Sequence, residues 1–515
     1  MKTGTHLKIH TDMKKFLSPL IVLIMVQMLS AQNPRLVILA DMGNEPDEEQ
    51  QMIHMMVCSN ELELEGLIAV TGLYIRPGLR DPYRTVTHPE LFHKIIDAYA
   101  EVYPNLQKHA SGWHEPKYLH GIVAAGNAGY GIDDVGEGKS SQGSELIVRV
   151  LEKDDPRPVW VVVNAGSNTL AQALFDFNRK HTRAELDEAV SRLRVYENGA
   201  QDNAGAWICS RYPLIHWIRS NYQTYAYGGP GGRDGSVTGN LGPNYWHPYE
   251  HSTEGQHEWL REHVQTGHGA LGEIYPDRKF GNEVFGFMEG GGTTPWMCLV
   301  NKGLSDIDHP EWGGWSGRFT KKKVPDFWSR HLDIMADEIH QSPFYTYREA
   351  SDYWVDPQDG QVYNGDYVPV WRWREAMYND FMCRMDWCVK PFEGANHHPV
   401  AVVNGDEGDG ILHVRCLAGE ELEFDASASS DPDGDELNYS WWIYEEAGTY
   451  AGKVFLASAD REKTRVSVPT GAGGTEIHLI LEVRDAHQAG PLFDYRRIVI
   501  GVEDMVRRHE SIQTD

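Results

Sequence analysis

The chain has 515 residues, with Lys+Arg 47 against Asp+Glu 75 and a formal net charge of −28. That charge argues against nucleic-acid polymers and anionic membrane surfaces as partners, and suits neutral glycans, small molecules or cations. Ordinary hydrophobic (41%) and charged (24%) fractions imply two or three globular domains, while 16 Trp and 24 Tyr supply aromatic faces that either fill cores or stack on sugars.

Lys14 and Lys15 precede an apolar run over 16–29 and then Ser30-Ala31-Gln32, the layout of an export signal cut after Ala31. Met13 is an alternative start. The run is short for a membrane span, so residues 1–31 are expected to be removed and the mature chain to be periplasmic or secreted, without a membrane span.

Leu36, Val37, Ile38, Leu39 and Ala40 form a short apolar run that ends abruptly in acid. Asp41, Glu45, Asp47, Glu48 and Glu49 follow, with Asn44 among them. The run predicts a buried parallel strand. Ligands in open α/β sheets bind just beyond the carboxyl ends of such strands. Crowded acids there repel one another unless a cation, a proton or a substrate's hydroxyls compensate them. Such a loop can hold a hard cation or deprotonate a water. The plain alternative is an acid-rich first helical turn favoured by the helix dipole.

Further along, the pattern predicts a helix over 48–59, a strand over 64–71 and a helix over 90–103. It continues with a helix over 143–153 capped by Ser144, a buried strand over 158–164, a helix over 165–177 and a short strand over 192–196. This alternation predicts a mostly parallel sheet covered by helices on both faces. Residues 228–317, rich in Gly, Pro, Trp and His, read as long functional loops over the sheet edge. Helices are expected over 331–348 and 371–389.

Asn396-His397-His398-Pro399 marks a composition break. Short strands then read at 401–403, 412–416, 421–424, 438–444, 464–468, 477–483 and 496–502, the spacing of an immunoglobulin-like β-sandwich. The expected organisation is an α/β domain over 32–395, a sandwich over 396–505 and a tail over 506–515. Six cysteines without a Cys-x-x-Cys argue against structural zinc. Cys383 and Cys388 are candidates to pair in an oxidising compartment.

The strand–acid loop, Ile68-Ala69-Val70-Thr71 and Asn164-Ala165-Gly166-Ser167-Asn168-Thr169 resemble nucleoside hydrolases. Asn44-Glu45-Pro46-Asp47, Leu193-Arg194-Val195-Tyr196, Gly303-Leu304-Ser305-Asp306, His309-Pro310-Glu311-Trp312-Gly313-Gly314-Trp315 and the C-terminal strands carry a closer resemblance. It is to the secreted nucleoside hydrolase-like family once described as cellulose-binding, with a C-terminal immunoglobulin-like domain.

Nucleoside hydrolases cleave N-glycosidic bonds with a calcium ion and an Asp base, and open with Asp-x-Asp-Pro-Gly-x-Asp-Asp. On this chain Asp41 takes the first Asp, Gly43 the second, Asn44-Glu45 the Pro-Gly pair, and Asp47 and Glu48 the last two. The resemblance implies Asp47 as base, and Asp41, Glu48 and the Thr169 carbonyl as calcium ligands, with one ligand position held by Gly43. It implies Asn44, Glu45, Asn168, Asp202, Asn203 and Glu289 as substrate-binding residues. Glu289-Gly290-Gly291-Gly292-Thr293-Thr294-Pro295 keeps the Glu of the family's Glu-Gly-Asp-Thr-Pro and loses or displaces its Asp.

Asn198 to Gly205 offers amides suited to sugar hydroxyls, or a simple Asn/Gly turn. His309 to Trp315 reads as a carbohydrate platform or as a loop brace. His263 and His268 are candidate acids for a leaving group, or structural. Ser430-Asp431-Pro432-Asp433-Gly434-Asp435 resembles a loop of polycystic-kidney-disease-type domains, and is either a calcium loop or a turn. The leading function is hydrolysis of an N- or O-glycosyl bond in a nucleoside-like or glycan-derived substrate. The rival is a non-catalytic protein binding a cellulose-like glycan; a cell-envelope structural protein comes third.

Overall fold

The computed structural model describes residues 33–72, 82–227, 256–280, 283–285, 291–300, 303–323, 341, 343–357 and 360–504. The expected export signal, Glu289 and the tail over 506–515 lie outside the described residues. Among the described residues no helix is long and apolar enough to cross a membrane.

The first half alternates as its apolar runs predict. Arg35–Ala40 (β1) leads to Asp47–Cys58 (α1), then Glu63–Ala69 (β2), Pro89–Leu106 (α2) and Val123–Ala125 (β3). Gln142–Leu151 (α3), Val159–Val163 (β4), Asn168–Lys180 (α4), Arg183–Ser191 (α5) and Leu193–Asn198 (β5) follow. Ala204–Arg211 (α6) and His216–Ser220 (β6) come next, then Phe319–Lys323 (β7) and Tyr345–Glu349 (β8). The sheet runs β3-β2-β1-β4-β5-β6-β8-β7, parallel throughout except for the antiparallel β7–β8 edge.

Alternate side chains of β1 feed two cores. Leu36, Ile38 and Ala40 pack with Met52, Met56 and Phe92 of α1 and α2. Val37 and Leu39 pack with Ile147, Leu170, Leu174 and Ile208 of α3, α4 and α6. A strand buried on both faces must be apolar at every position, which is why β1 and β4 read as unbroken runs. The chain builds outward from β1 to β2 and β3, then crosses back to β4 on the opposite side. The carboxyl ends of β1 and β4 therefore flank a topological switch point, where adjacent loops diverge and leave a crevice.

Several expectations need correction. Ser141, not Ser144, caps α3: its hydroxyl accepts from Ser144 N at 3.1 Å, and Ser144 Oγ accepts from Ser141 N in return. The helix expected from 165 begins at Asn168, because Asn164 to Ser167 form the loop after β4. The helix expected over 331–348 is overturned at its end, where 345–348 belong to β8. Tyr345, exposed, alternates with buried Thr346 in a strand of β-forming residues. Residues 331–340 lie outside the described residues.

The helix expected over 371–389 is divided into Val368–Trp371 (α7) and Arg374–Trp387 (α8). All six cysteines are free thiols. Cys383 and Cys388 lie five positions apart along α8 and its cap, roughly 7–8 Å of helical rise, which is too far for a disulfide.

Between β8 and α7 lies an antiparallel hairpin of Asp352–Val355 (β9) and Val362–Gly365 (β10). The C-terminal sandwich has Leu412–Leu417 (β11), Glu421–Asp425 (β12), Leu437–Ile443 (β13) and Phe455–Ala457 (β14). Lys463–Ser467 (β15), Glu476–Asp485 (β16) and Phe493–Glu503 (β17) complete it. Its sheets run β11-β17-β16-β13 and β12-β15-β14. Residues 401–403 are not a strand; Val400 and Val403 make only isolated bridges.

The break at 396–399 is pinned at both sides. Asn396 Nδ2 donates to Asp485 at 3.0 Å, Trp387 Nε1 donates to Asn396 O at 2.8 Å, and His398 Nε2 meets Asp380 of α8 at 2.7 Å. Tyr444, Ile480, Phe493 and Tyr495 of the sandwich belong to the same core as α1 and α8. Arg497 of β17 donates to Leu304 O at 2.7 Å and Gly313 O at 3.0 Å.

Candidate functional site

The acidic loop closes tightly over the end of β1. Asn44 N donates to Asp41 O at 3.0 Å, and Gly43 sits at φ +82, in the left-handed region. Asn44 Nδ2 donates to Asp41 Oδ2. Pro46 then starts α1, whose first turn is Asp47, Glu48 and Glu49. Glu48 Oε2 accepts from Asn164 Nδ2 at 3.0 Å, bridging the two strand ends of the switch point, and also from Gln51 Nε2. Asp41, Asn44, Asp47 and Glu48 are all buried, at 7%, 8%, 7% and 2% exposure. Solvated acids of an ordinary first helical turn would be exposed, so the dipole explanation does not cover this cluster.

Burial governs the electrostatics. It pushes the Asp41 carboxyl up to about 6, against the lowering hydrogen bond from Asn44 and with a further push from Glu45. Glu48 is raised well above its ordinary value by burial and then by the Asp41 charge. Glu49 is raised to about 7, again mainly by burial. Two facing buried carboxyls cannot both be bare anions; a shared proton or a cation must neutralise them.

The donor set fits a hard cation in part. Beside the carboxylates of Asp41 and Glu48, the buried amide oxygens Asn44 Oδ1, Gln51 Oε1 and Asn164 Oδ1 have no hydrogen-bond partner. An all-oxygen set of this kind suits calcium or magnesium. The fit fails at Gly43. A Cβ there would lie 2.8 Å from Tyr83 Oη and 3.0 Å from Leu91 Cδ1, so Tyr83 and Leu91 occupy the space an acid would need. Thr169 lies in the first turn of α4, where its hydroxyl accepts from Asn127 N at 2.9 Å in the loop after β3.

Three of the expected substrate-binding residues also tie the loops together, and Asn168 keeps its buried Oδ1 without a hydrogen-bond partner. Asp202 accepts from Ala204 N at 2.9 Å, Asn168 N at 3.1 Å and the Ser167 hydroxyl, tying the β4 and β5 loops together. Burial raises its carboxyl to about 6. Asn168 Nδ2 donates to Gly129 O at 2.9 Å, and Asn203 Oδ1 accepts from Ile132 N at 2.9 Å. Asn44 and Glu45 stay in the acidic loop. The glycine-rich segment after 289 does reach the site. Gly291 O accepts from Asn198 Nδ2 at 3.1 Å and Thr224 Oγ1 at 2.8 Å, and a Cβ on Gly292 would meet Gln51 Cδ at 2.5 Å.

Asn164 and Gln51 were thus missed as site residues, whereas Asn198 belongs to the amide-rich segment the sequence offered for sugar hydroxyls. Their sequence signals are an amide directly after an apolar strand run, and Gln51 three positions after Glu48 on one helix face. Buried acids at the other strand ends were missed too. Glu197 takes Arg219 Nε at 2.7 Å and Trp217 Nε1 at 2.9 Å, while Glu349 accepts from Ser220 Oγ at 3.1 Å and Tyr222 N at 2.9 Å.

Of the two readings of 309–315, the loop brace holds and the carbohydrate platform does not. Trp312 and Trp315 are 6% and 2% exposed; Trp312 stacks on His309 at 4.0 Å and meets His478 of β16 edge-on at 5.0 Å. His268 faces Asp386 of α8 at 3.3 Å, and His263 packs on Trp259 at 5.4 Å. The loop at Asp431 is a turn, its carboxylate accepting from Asp433 N at 2.8 Å and Asp435 N at 3.1 Å.

Among the described residues, one trio of His, Cys, Asp or Glu offers metal-ligand atoms within 4.8 Å of one another, and it is not in the acidic loop: His54 and Cys58 of α1 with Asp380 of α8. Asp380 Oδ1 is already committed to Arg384 Nε and His398 Nε2, both at 2.7 Å. The arrangement is a core ion-pair cluster at the far end of α1 from the acidic loop.

Comparisons with known proteins agree with this fold. Residues 35–319 match the family model described as cellulose-binding Sde182, nucleoside hydrolase-like domain. Residues 421–502 match the C-terminal domain of cellulose-binding protein Sde0182. A solved structure of a nucleoside hydrolase-related hypothetical protein from Saccharophagus degradans, described as associated with carbohydrate metabolism, is 36% identical. It covers 92% of this chain and 100% of its own, with a TM-score of 0.76. The titin M3 domain also aligns, over 18% of this chain and 91% of its own, at 13% identity and a TM-score of 0.13, and carries no argument. No curated protein matches the chain.

Proposed function

The chain belongs to the cellulose-binding Sde182, nucleoside hydrolase-like family, and from that premise we propose that it hydrolyses a glycosyl bond at the crevice between β1 and β4. The observation that carries the reading is the buried group of Asp41, Asp47 and Glu48, locked across the switch point by the Glu48–Asn164 hydrogen bond. Asp47 is the base that takes the proton of the attacking water. The single negative charge that Asp41 and Glu48 keep when they share a proton stabilises the oxocarbenium-like sugar as the bond to the leaving group breaks. The side-chain oxygens of Asn44, Asn164 and Asn198, whose Nδ2 groups are already bonded, accept from hydroxyls and orient them.

Asp41 and Glu48, with nearby amide oxygens, are the residues that would hold a hard cation. Such a cation, when bound, lowers the pKa of a coordinated water and fixes neighbouring hydroxyls. The basic–apolar–small pattern of residues 14–32 supports export, and with it a nucleoside-like or glycan-derived substrate outside the cytoplasm.

A hydrolysis screen of nucleosides and oligosaccharides, with and without calcium, tests the reading on wild type and Asp47→Asn. Turnover abolished by Asp47→Asn is expected. Saturable sugar binding without turnover, indifferent to Asp47→Asn, would sink it. That outcome defines the second reading, a non-catalytic carbohydrate binder, which the filled space beside Gly43 favours by denying the site one acid.

A further inference from the structure

A long groove lies between the α/β domain and the sandwich, away from the acidic loop. Its deeper part has a volume of about 1170 Å³. A second hollow of about 760 Å³ shares Pro357, Ser440, Glu482 and Arg484 with it, so the two run into one another along the sandwich sheet.

Strand alternation builds the floor. On β13, Trp441 points into the sandwich core, so Ser440 and Trp442 face the groove. Across the ladder, Ser440 stands opposite Glu482, and Glu482 opposite Tyr495. The facing wall comes from β9 and the α7–α8 junction, with Tyr353, Trp354, Arg372 and Trp373.

The aromatic rings are held rigidly from behind. Trp354 stacks on Tyr363 at 5.8 Å, and Trp442 packs on Trp373 at 5.6 Å with the Arg372 guanidinium over it at 4.4 Å. Trp354 and Trp442 are half-buried, and Tyr353 is 56% exposed. Large rings left partly open in a wet groove are unusual unless something covers them. The charged residues are mixed: the deeper part carries five acids (Asp356, Glu375, Glu445, Glu446, Glu482) against four bases (Arg372, Arg374, Lys453, Arg484), on a chain of net charge −28. A polyanion or polycation would meet like charge along such a groove. A neutral polyol would not, and its hydroxyls match both carboxylate and guanidinium groups.

We propose that this groove binds a linear, neutral oligosaccharide, sugar faces stacking on Tyr353, Trp354 and Trp442 and hydroxyls bonding to Glu482 and Arg484. The assignment rests on the carbohydrate reading above but places binding outside the crevice of Asp41, Asp47 and Glu48.

The test titrates the full chain with cellohexaose, xylohexaose and glucose, read by tryptophan fluorescence and calorimetry, with an unrelated neutral peptide as control. A hexasaccharide is expected to bind and to change tryptophan emission, with glucose at least about tenfold weaker. Trp354→Ala is expected to weaken hexasaccharide binding about tenfold. Tyr353→Ala and Arg484→Ala, both at exposed positions, are expected to weaken it several-fold at an unchanged melting temperature. Asp47→Asn is expected to leave hexasaccharide affinity intact.

Groove variants that bind like wild type, a wild type that binds neither hexasaccharide, or tighter binding of the peptide would overturn the proposal. Hexasaccharide binding lost in the groove variants, with no turnover of any substrate by wild type, would remove the hydrolase reading and leave this one standing.

Discussion

Asn164 donates its side-chain amide to the Glu48 carboxylate at 3.0 Å, fastening the end of β4 to the first turn of α1. Together with the bond from Gln51 Nε2, it fixes the position of the acid whose neighbour, Asp47, is the proposed base. Asn164→Ala is expected to cost about 1–3 kcal/mol, because it strips a hydrogen bond from a buried carboxyl. Since the Asn164 bond lowers the Glu48 pKa, its loss raises that pKa further. Urea unfolding at neutral pH measures the cost; an unchanged midpoint would refute the role.

The acidic loop sets a pH dependence of unusual sign. Asp41 is raised from an ordinary value near 3.8 to about 6, so between those pH values the folded state holds the proton more tightly than the unfolded state. Its contribution to stability is present below about pH 4 and is lost as pH rises through 6. Glu49, raised to about 7, acts in the same direction. Calcium-free protein is expected to gain stability from Asp41→Asn at pH 7 and none at pH 4. Thermal melts of wild type and variant at both values check this, and an equal difference at both would contradict it.

Calcium should substitute for those protons. Added calcium is expected to raise the wild-type melting temperature more at pH 7 than at pH 5, where protons compete for Asp41 and Glu48. The increment should vanish in the Asp41→Asn variant. A calcium response independent of pH and of Asp41 would place any ion elsewhere.

Gly43 explains why an acid cannot simply be restored. Gly43→Asp brings a side chain into the left-handed region, at about 1–2 kcal/mol, and drives its Cβ toward Tyr83 Oη. It is expected to destabilise the protein. Gly43→Asp combined with Tyr83→Ala should recover part of that loss and tighten calcium binding. Calorimetric titration of the single and double variants distinguishes this from simple additivity.

At the other end of α1, Asp380 is buried and holds Arg384 and His398, which keep its carboxyl below the usual range. Asp380→Ala leaves Arg384 with Glu61 as its remaining acid and takes from His398 the carboxylate that holds it charged, and is expected to cost about 3–5 kcal/mol. His54 is held neutral by burial, its pKa lowered to about 3, and stacks on Phe381 at 4.0 Å. His54→Phe should change stability by less than about 1.5 kcal/mol. Denaturant unfolding of the pair gives the contrast; a large loss for His54→Phe would point to a ligand role for its imidazole.

Where the sequence was readable, one physical cause did the work. β1 and β4 are buried on both faces and therefore carry unbroken apolar runs, and the acids directly after β1 stand out against them. β6 was hidden because Arg219 interrupts it; its ion pair with Glu197 helps to make an arginine tolerable there. The strand at 345–349 was mistaken for helix because tyrosines and charged residues give no clear period. Asp202 and Asn203 looked like ligands for a sugar because sequence shows polar groups, not the backbone amides that consume them. Trp312 and Trp315 looked like a platform for the same reason: their covering comes from a sandwich more than a hundred residues downstream.

The contacts of Arg497 carry a consequence for biosynthesis. The residues it clasps, Leu304 and Gly313, leave the ribosome long before β17 does, and Phe493 and Tyr495 on that strand help to fill the core around α1 and α8. That part of the N-terminal core therefore closes only when nearly the whole chain has been made. A chain ended before residue 490 is expected to leave it uncovered, with apolar surface around α1 and α8 open to water.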